Sequence, residues 1–254
     1  MSLEKNKEDK LSNLNFDKFR ALARDNSLSM YEKIGFYDKF REGKEKVIFE
    51  DILTKLKNLS GNGKTVIDIG CGCSELPVML IELCRIKGHH LILIDSKEML
   101  DQLPDAEFIT KMPAQYPKDC EELFKNFSGK ADAILIYSVL HYIVEEINLM
   151  EFLDKTMSLL SDKGEILIGD IPNVSKRNRF FSSKSGIEFH QQNNNTEDLP
   201  EVKFNSLENN QIDDAMLFFI LARCRNSGFD SYLCQQDASL PMANRRDDIL
   251  IVKP

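Results

Sequence analysis

The segment KTVIDIGCGCSELP, residues 64–77, constrains the fold of this chain more than any other stretch. Residues of high strand propensity surround Asp68 and run directly into Gly70 and Gly72. Ser74 can then cap a helix. Glycines in such a turn let the backbone approach a ligand closely, and the free N–H groups of the helix face the same crevice. The segment therefore predicts a strand, a tight turn and a helix N-terminus that form a site for a nucleoside-bearing cofactor.

The residues around the two glycines distinguish between two cofactor classes. A dinucleotide-binding turn has a third glycine three positions after the second, but Glu75 stands there and would face a pyrophosphate. The pattern Asp68-x-Gly70-x-Gly72 instead resembles the first motif of class I S-adenosylmethionine (SAM) methyltransferases. In that family the acidic side chain serves the methionine end of the cofactor. Ser74 replaces the third glycine of the motif, so the turn departs from the family there, yet it still favours SAM over NAD.

A helix is predicted at residues 75–87. The next strand is predicted at residues 90–95, with LILID at 91–95, and ends in Asp95 about one βαβ step after the glycine turn. A carboxylate at this place can accept hydrogen bonds from both ribose hydroxyls, in SAM and NAD sites alike. The alternative role for Asp95 is to cap the following helix. The stretch DSKEML also resembles the segment after the second strand of many class I methyltransferases. The resemblance implies SAM as cofactor, S-adenosylhomocysteine (SAH) as product, and these cofactor-binding residues: Asp68, Gly70, Cys71, Gly72, Asp95, Ser96, Met112, Ala114 and Ser138.

The third strand is predicted at about residues 107–110, and the loop KMPAQYP follows it. In the family this loop often supplies an acidic residue to the adenine amino group. This loop contains no carboxylate, so Met112 and Ala114 are expected to contribute apolar contacts or backbone polar groups.

Two further strands end in polar residues. ADAILIY, residues 131–137, predicts a central strand that leads into Ser138 and His141, and GEILIGD predicts a fifth strand that ends in Asp170. Open α/β sheets bind ligands at the carboxyl edge of their strands. His141 and Asp170 are therefore our candidate general bases for deprotonating a hydroxyl acceptor. The alternatives are a structural hydrogen-bonding histidine and a capping carboxylate.

The predicted fold class is α/β, with a doubly wound, seven-stranded, mostly parallel sheet of the class I methyltransferase type. The resemblance spans about residues 60–254, and at its end the last strand is inserted antiparallel. Residues 1–60 are predicted as an N-terminal helical extension of three short helices, of which residues 1–13 are loose. Residues 61–254 are the predicted SAM-binding domain. The extension either caps the sheet by packing or closes over cofactor and acceptor.

Residues 173–211 interrupt the alternation of strands and helices and predict a structureless insertion, which we interpret as a lid. The cluster KRNRFF at residues 176–181 can hold an anionic acceptor such as a phosphate, with arginine as a bidentate donor. The alternative for this cluster is a solvated helix face with its two aromatic residues packed beneath.

Composition excludes several functions. The net charge of −8 disfavours nucleic acid as a partner. Apolar runs are too short for a membrane helix and no signal peptide is evident, so we expect a soluble cytoplasmic protein. The six cysteines form no CxxC pair and are expected to be reduced. Cys71 and Cys73, with His89 and His90, have poor zinc spacing, so we predict no metal.

The predicted function is SAM-dependent methyl transfer to a small-molecule acceptor. Residues 19–45 resemble N-terminal stretches of methyltransferases from bacterial surface-polysaccharide or sugar pathways. That resemblance implies the hydroxyl of a sugar as acceptor. The acidic charge, the lid and the basic cluster are compatible with a nucleotide sugar or another small phosphorylated metabolite, and equally with unphosphorylated ones. Two alternatives remain: a catalytically silent SAM-binding or interaction protein, motivated by Ser74 and the missing loop carboxylate, and, less favoured, an NAD-dependent oxidoreductase. The sequence leaves the methylated atom and the oligomeric state open.

Overall fold

The computed structural model describes residue 11 and residues 14–205 and 211–254. The prediction that residues 1–13 are loose therefore lies, apart from Leu11, outside the described residues. Within the described part, seven strands form one sheet: β1 Thr65–Ile69, β2 His90–Asp95, β3 Ile109–Pro113, β4 Ala131–Tyr137, β5 Leu160–Pro172, β6 Asp230–Gln235 and β7 Arg246–Val252. The helices are α1 Phe16–Arg24, α2 Met30–Lys33, α3 Asp38–Arg41, α4 Glu45–Lys55, α5 Glu75–Lys87, α6 Lys97–Leu100, α7 Glu121–Phe127, α8 Leu140–Glu146, α9 Leu149–Ser158, α10 Val174–Phe181, α11 Lys184–Asn194 and α12 Asp214–Asn226, with a 3₁₀ turn at Lys57–Ser60.

The strand order is β3-β2-β1-β4-β5-β7-β6. All neighbouring pairs are parallel except those of β7, which runs antiparallel to both β5 and β6. This arrangement confirms the predicted α/β class with a seven-stranded, mostly parallel sheet. The order reverses between β1 and β4, so the carboxyl ends of these two strands flank a crevice.

Hydrophobic side chains cover both faces of the sheet because successive residues of a strand point to opposite sides. Val66 belongs to the cluster formed with α4 and α5, whereas Ile67 belongs to the cluster formed with α8, α9 and α12. Central strands buried on both sides are held in register, as Ile67 opposite Ile134 shows. The polar groups at the strand ends are therefore fixed relative to one another.

Several element boundaries agree with the sequence prediction, including α5, β2 and β4 in full. The second N-terminal helix does not: it is two single turns, α2 and α3, separated by Gly35 in the left-handed conformation at φ 83°. The third strand runs on to Pro113, which pairs with Asp95, so part of the predicted loop belongs to the sheet.

The segment from residue 173 is helical over most of residues 174–194, so the expectation of a structureless insertion was wrong there, whereas residues 196–205 and 211–213 contain no helix or strand. Asn173 caps α10 by accepting hydrogen bonds from the backbone of Ser175 and Lys176, and the hydroxyl of Ser183 caps α11. Side-chain oxygens at such positions satisfy amides that have no partner within the helix. None of the helices in the described ranges has the length and apolarity needed to cross a membrane.

Candidate active site

A cleft with about 960 Å³ of free space opens at the carboxyl ends of β1, β2 and β4. Gly70, Gly72, Asp95, Ala114 and Ser138 line it from the sheet. The N-terminal extension lines the opposite side with Phe19, Ile34, Phe36 and Arg41. The cleft is therefore built from both predicted parts of the chain.

Both glycines of the turn are in the left-handed conformation, with φ 71° at Gly70 and 65° at Gly72. A Cβ at Gly70 would lie 2.6 Å from Cγ2 of Val139, and a Cβ at Gly72 would lie 2.7 Å from Cγ2 of Ile34. Both distances are far inside van der Waals contact. Glycine is thus required twice over, by backbone conformation and by space.

Asp95 holds the glycine turn against β2. Its Oδ2 accepts from the backbone N–H of Gly72 at 2.8 Å, and its Oδ1 accepts from that of Ser96 at 2.6 Å. Burial raises the pKa of Asp95, while these hydrogen bonds act in the opposite direction. Each carboxylate oxygen has two lone pairs, so each keeps one for a further donor. Asp95 can accept two hydroxyl hydrogen bonds while it keeps its hydrogen bonds from the backbone of Gly72 and Ser96.

Asp68 is buried in β1 and does not line the cleft. Burial, reinforced by the neighbouring charge of Asp95, raises the pKa of Asp68 to about 8. A positive charge beside the turn would favour the ionised form of Asp68 next to Asp95, so the region suits a cofactor with sulfonium and ammonium groups. Asp68, Asp95 and the glycine cradle thus fit SAM.

A buried hydrogen-bond network joins the extension to the ends of β4 and β5. Arg41 donates from Nη2 to the hydroxyl oxygen of Ser138 at 2.6 Å, and Ser138 donates to Oδ2 of Asp170 at 2.5 Å. Arg41 also stacks on the ring of Phe36 at 4.2 Å. Ser138 and Asp170 both have positive φ, 61° and 58°, which is uncommon for residues with side chains. Backbone strain of this kind concentrates at functional sites.

Asp170 is surrounded by donors. Arg246 donates from Nη1 to its Oδ2 at 2.9 Å, and Nη2 of Arg41 lies 3.3 Å from the same oxygen. The backbone N–H of Asp170 donates to Asp248, which in turn accepts from Lys55 at 2.6 Å. Three side-chain donors thus converge on Oδ2 of Asp170, so this carboxylate fixes the positions of Ser138, Arg41 and Arg246.

His141, the other predicted base, lies at the start of α8 and lines a second cavity rather than the cleft. Its Nδ1 is buried and has no hydrogen-bond partner among the described residues. Burial, followed by the charge of Arg246, lowers the pKa of His141 to about 3. The ring is therefore neutral near pH 7. The adjacent Tyr142 lines the cleft, so neighbouring residues of α8 line the two cavities.

The remaining predicted site residues divide between the cleft and its support. Cys71 lines the cleft together with the glycines, Asp95, Ala114 and Ser138. Ser96 does not line the cleft: its hydroxyl caps α6 by accepting from the backbone of Met99. Met112 is also absent from the cleft, because it extends β3 and packs against the core. Neither side chain lines the cleft itself, and the cofactor contacts of Ser96 and Met112 stay predictions.

Arg41 and Arg246 are candidate functional residues that the sequence analysis missed. The available signals were an arginine at the end of the aromatic-rich stretch GFYDKFR, and a pair of arginines followed by Asp247 and Asp248 where β7 begins. Both side chains are long, so the local pattern does not specify their partners.

Cys71 and Cys73 remain thiols. Burial raises the pKa of Cys73 to about 11 and raises that of Cys71 well above its ordinary value. Metal ions bind the thiolate form. No group of three potential His, Cys, Asp or Glu ligands occurs in residues 14–205 and 211–254.

Solved structures with this architecture are SAM-dependent methyltransferases. One from Archaeoglobus fulgidus has a TM-score of 0.51 at 20% identity, over 85% of this chain and 97% of that chain. The plantazolicin methyltransferase BpumL, in complex with a monoazolic desmethylPZN analog and SAH, has a TM-score of 0.55 at 16% identity, over 100% and 99%. BamL, with a triazolic desmethylPZN analog and SAH, has 0.56 at 15%, over 98% of each chain.

This chain has the class I methyltransferase fold. At these identities the similarity concerns the fold alone. No protein-family model matches the sequence, and the search of curated proteins found no match. Within the class I methyltransferase fold, the glycine turn after β1 and the carboxylate after β2 lie side by side at the crevice.

Proposed function

We propose that the protein is a SAM-dependent methyltransferase that acts on a small-molecule acceptor. The observation that carries this proposal is the position of Asp95 beside the glycine turn. Its carboxylate lines the cleft and has one remaining lone pair on each oxygen, which matches the two hydroxyls of a ribose. A pyrophosphate would instead face Glu75 at the start of α5, which disfavours NAD.

The residues of the cleft bind the cofactor and enclose it. SAM supplies a methyl group already activated on a sulfonium. Asp95 accepts the ribose hydroxyls, and the ionised form of Asp68 favours the positive methionine end. Ala114 and the aromatic rings of Phe19 and Phe36 provide apolar walls that exclude water. Alignment and exclusion of water supply most of the catalysis in such a transfer.

We assign to His141 the hydrogen bond from the hydroxyl of the acceptor. Its ring is neutral and its buried Nδ1 lacks a partner, so it can accept a hydrogen bond from an acceptor in the second cavity. Asp170, the second candidate, acts in this proposal as a positioning residue through Ser138 and Arg246. Because the pKa of His141 is low, this hydrogen bond orients the hydroxyl, and the proton released by methyl transfer goes to water.

The acceptor class that we propose is a sugar or nucleotide-sugar hydroxyl. Its support is the resemblance of residues 19–45 and the presence of a second, polar cavity beside the cleft. BpumL and BamL are each in complex with a desmethylPZN analog and SAH, so in those proteins this fold binds a second molecule together with SAH.

Calorimetric titration with SAM, SAH and NAD tests the cofactor, and transfer of a labelled methyl group to sugar acceptors tests the reaction. We expect SAM and SAH to bind and NAD not to bind. Binding without any transfer would favour the catalytically silent alternative. Binding of NAD alone, or of no nucleoside cofactor, would overturn the proposal.

A further inference from the structure

The second cavity has about 1190 Å³ of free space and opens where β5 ends, α10 begins and β7 begins. Its charged lining is mainly basic: Arg177, Lys203, Arg245 and Arg246, with Glu201 as the acidic member. This is a different set from the cluster predicted at residues 176–181, of which only Arg177 and the amide of Asn178 reach the cavity.

The neighbouring cations of α10 are neutralised. Nζ of Lys176 lies 2.8 Å from Oδ1 of Asp247, and Nη1 of Arg179 lies 2.5 Å from Oδ2 of Asp214. In the cavity, Lys203 pairs with Glu201 at 2.7 Å and Arg246 pairs with Asp170. Each of these cations already has a carboxylate.

Arg177 and Arg245 differ from these cations. Among the described residues, neither has a carboxylate oxygen within 4.0 Å; Arg177 donates only to the amide oxygen of Asn178, at 3.3 Å. The pKa of Arg245 is lowered by burial and then by the like charges of Arg246 and Arg177. Two unpaired guanidinium groups therefore lie near a third, and a bound anion would relieve their repulsion.

His141 supplies an independent observation. It lines the same cavity, and its buried Nδ1 has no partner in the described part of the chain. Buried polar atoms in folded proteins nearly always have a partner, and a ligand can provide it. Arg246, which also lines the second cavity, donates to Asp170. Asp170 accepts a further hydrogen bond from Ser138, and Ser138 lines the cofactor cleft.

We propose that the second cavity binds the anionic group, a phosphate or a carboxylate, of the small-molecule acceptor. Arg177 and Arg245 hold the anion, because guanidinium groups bind such oxyanions in a bidentate manner. His141 contacts the part of the acceptor nearest to the cleft. That the bound anion belongs to a methyl acceptor rests on the proposed function, whereas the anion site itself is tested by binding alone.

The test measures binding of glucose 1-phosphate, glucuronate and uncharged glucose at constant ionic strength, by calorimetry and by the imidazole ¹⁵N signal of His141. The chain has four histidines, so the signal is assigned with a His141→Asn variant. We expect one of the two anions to bind and to shift the His141 signal, and glucose not to bind. The anion that binds distinguishes a phosphate site from a carboxylate site.

The decisive variants are Arg177→Gln combined with Arg245→Gln, and the matched control Arg179→Gln. All three positions carry the same charge, but Arg179 is paired with Asp214 and does not line the cavity. We expect the double variant to weaken anion binding by about tenfold or more and the control to bind like the unaltered protein. Arg177→Gln alone, at an exposed position, should lose less in the same direction and guards against misfolding of the double variant.

Two results would overturn the inference: neither anion binds, or the double variant binds as well as the control. SAH titration of the same samples separates the two proposals. SAH binding without anion binding defeats only the anion site. Anion binding without SAH binding defeats the proposed function and leaves the anion site in place.

Discussion

Arg41 donates a hydrogen bond of 2.6 Å to the hydroxyl of Ser138, a residue 97 positions further along the chain. Through this bond the N-terminal extension contacts the residue that directly follows β4, beside the cofactor cleft. Ser138 in turn donates a hydrogen bond to Oδ2 of Asp170 at 2.5 Å. The extension is thus attached to the sheet at the point where we expect methyl transfer.

Arg41→Gln should destabilise the protein strongly. Its side chain is buried, and its removal leaves Glu45 and Asp170 short of a cation in the interior. Removing one partner of a buried ion pair costs about 3–5 kcal/mol. Urea unfolding measures this free energy, and Arg85→Gln, in an exposed pair with Glu82, is the control. Equal stability of the two variants would show that the network contributes nothing.

Glu45→Gln should remove a pH dependence of stability. Burial raises the pKa of Glu45 to about 7, and the positive charge of Arg41 lowers it by a smaller amount. A raised folded pKa favours the protonated form, so this contribution is full below the unfolded value near 4.5 and is lost as pH rises through about 7. The loss is at most about 3 kcal/mol. Urea unfolding at pH 5 and pH 8 should show a smaller decrease for the variant; an identical decrease contradicts the assignment.

Asp68→Asn should weaken the pH dependence of SAM binding. The pKa of Asp68 is raised to about 8 without ligand, and a cationic ligand favours the ionised form. Binding below pH 8 therefore releases a proton, and affinity should rise with pH by up to about tenfold per unit. Calorimetry between pH 6 and 7.5, in two buffers of different ionisation enthalpy, detects that proton. A slope that is unchanged in the variant would separate Asp68 from the cofactor.

Asp95→Asn should reduce SAH affinity. The amide keeps the shape of the side chain but has one acceptor oxygen, so it cannot hold both the glycine turn and two hydroxyls. Loss of charge-assisted hydrogen bonds costs about 1.5–3 kcal/mol. Calorimetry compares this variant with Asp101→Asn, an exposed residue paired with Lys97. Undiminished SAH affinity would remove Asp95 from the ribose site.

Gly72→Ala should displace the extension from the turn. The new methyl would lie 2.7 Å from Cγ2 of Ile34, which belongs to the extension. We expect Gly72→Ala to lose SAH affinity. Shortening the clashing side chain in the double variant, Gly72→Ala with Ile34→Ala, should restore part of that affinity, while the strain of the positive φ remains. Calorimetry and hydrogen exchange of α1 to α3 report on binding and docking. No recovery in the double variant would mean that the clash is not the cause.

The local sequence predicted the elements that depend on nearby residues. The bounds of α5, β2 and β4, the glycine turn and the place of Asp95 follow from strand propensity and turn chemistry over a few positions. The helices of residues 174–194 were missed because their apolar residues are few, and their ends are set by caps at Asn173 and Ser183.

The sequence by itself determined that this chain forms a doubly wound sheet with a glycine turn and a carboxylate at its crevice. Only the tertiary structure decided which distant side chains meet there. Arg41 joins Ser138, Arg246 joins Asp170, and Arg177, Arg245 and His141 share a cavity. These residues come from segments far apart in the chain. Their contacts depend on how whole elements pack, and no pattern within a short window contains that information.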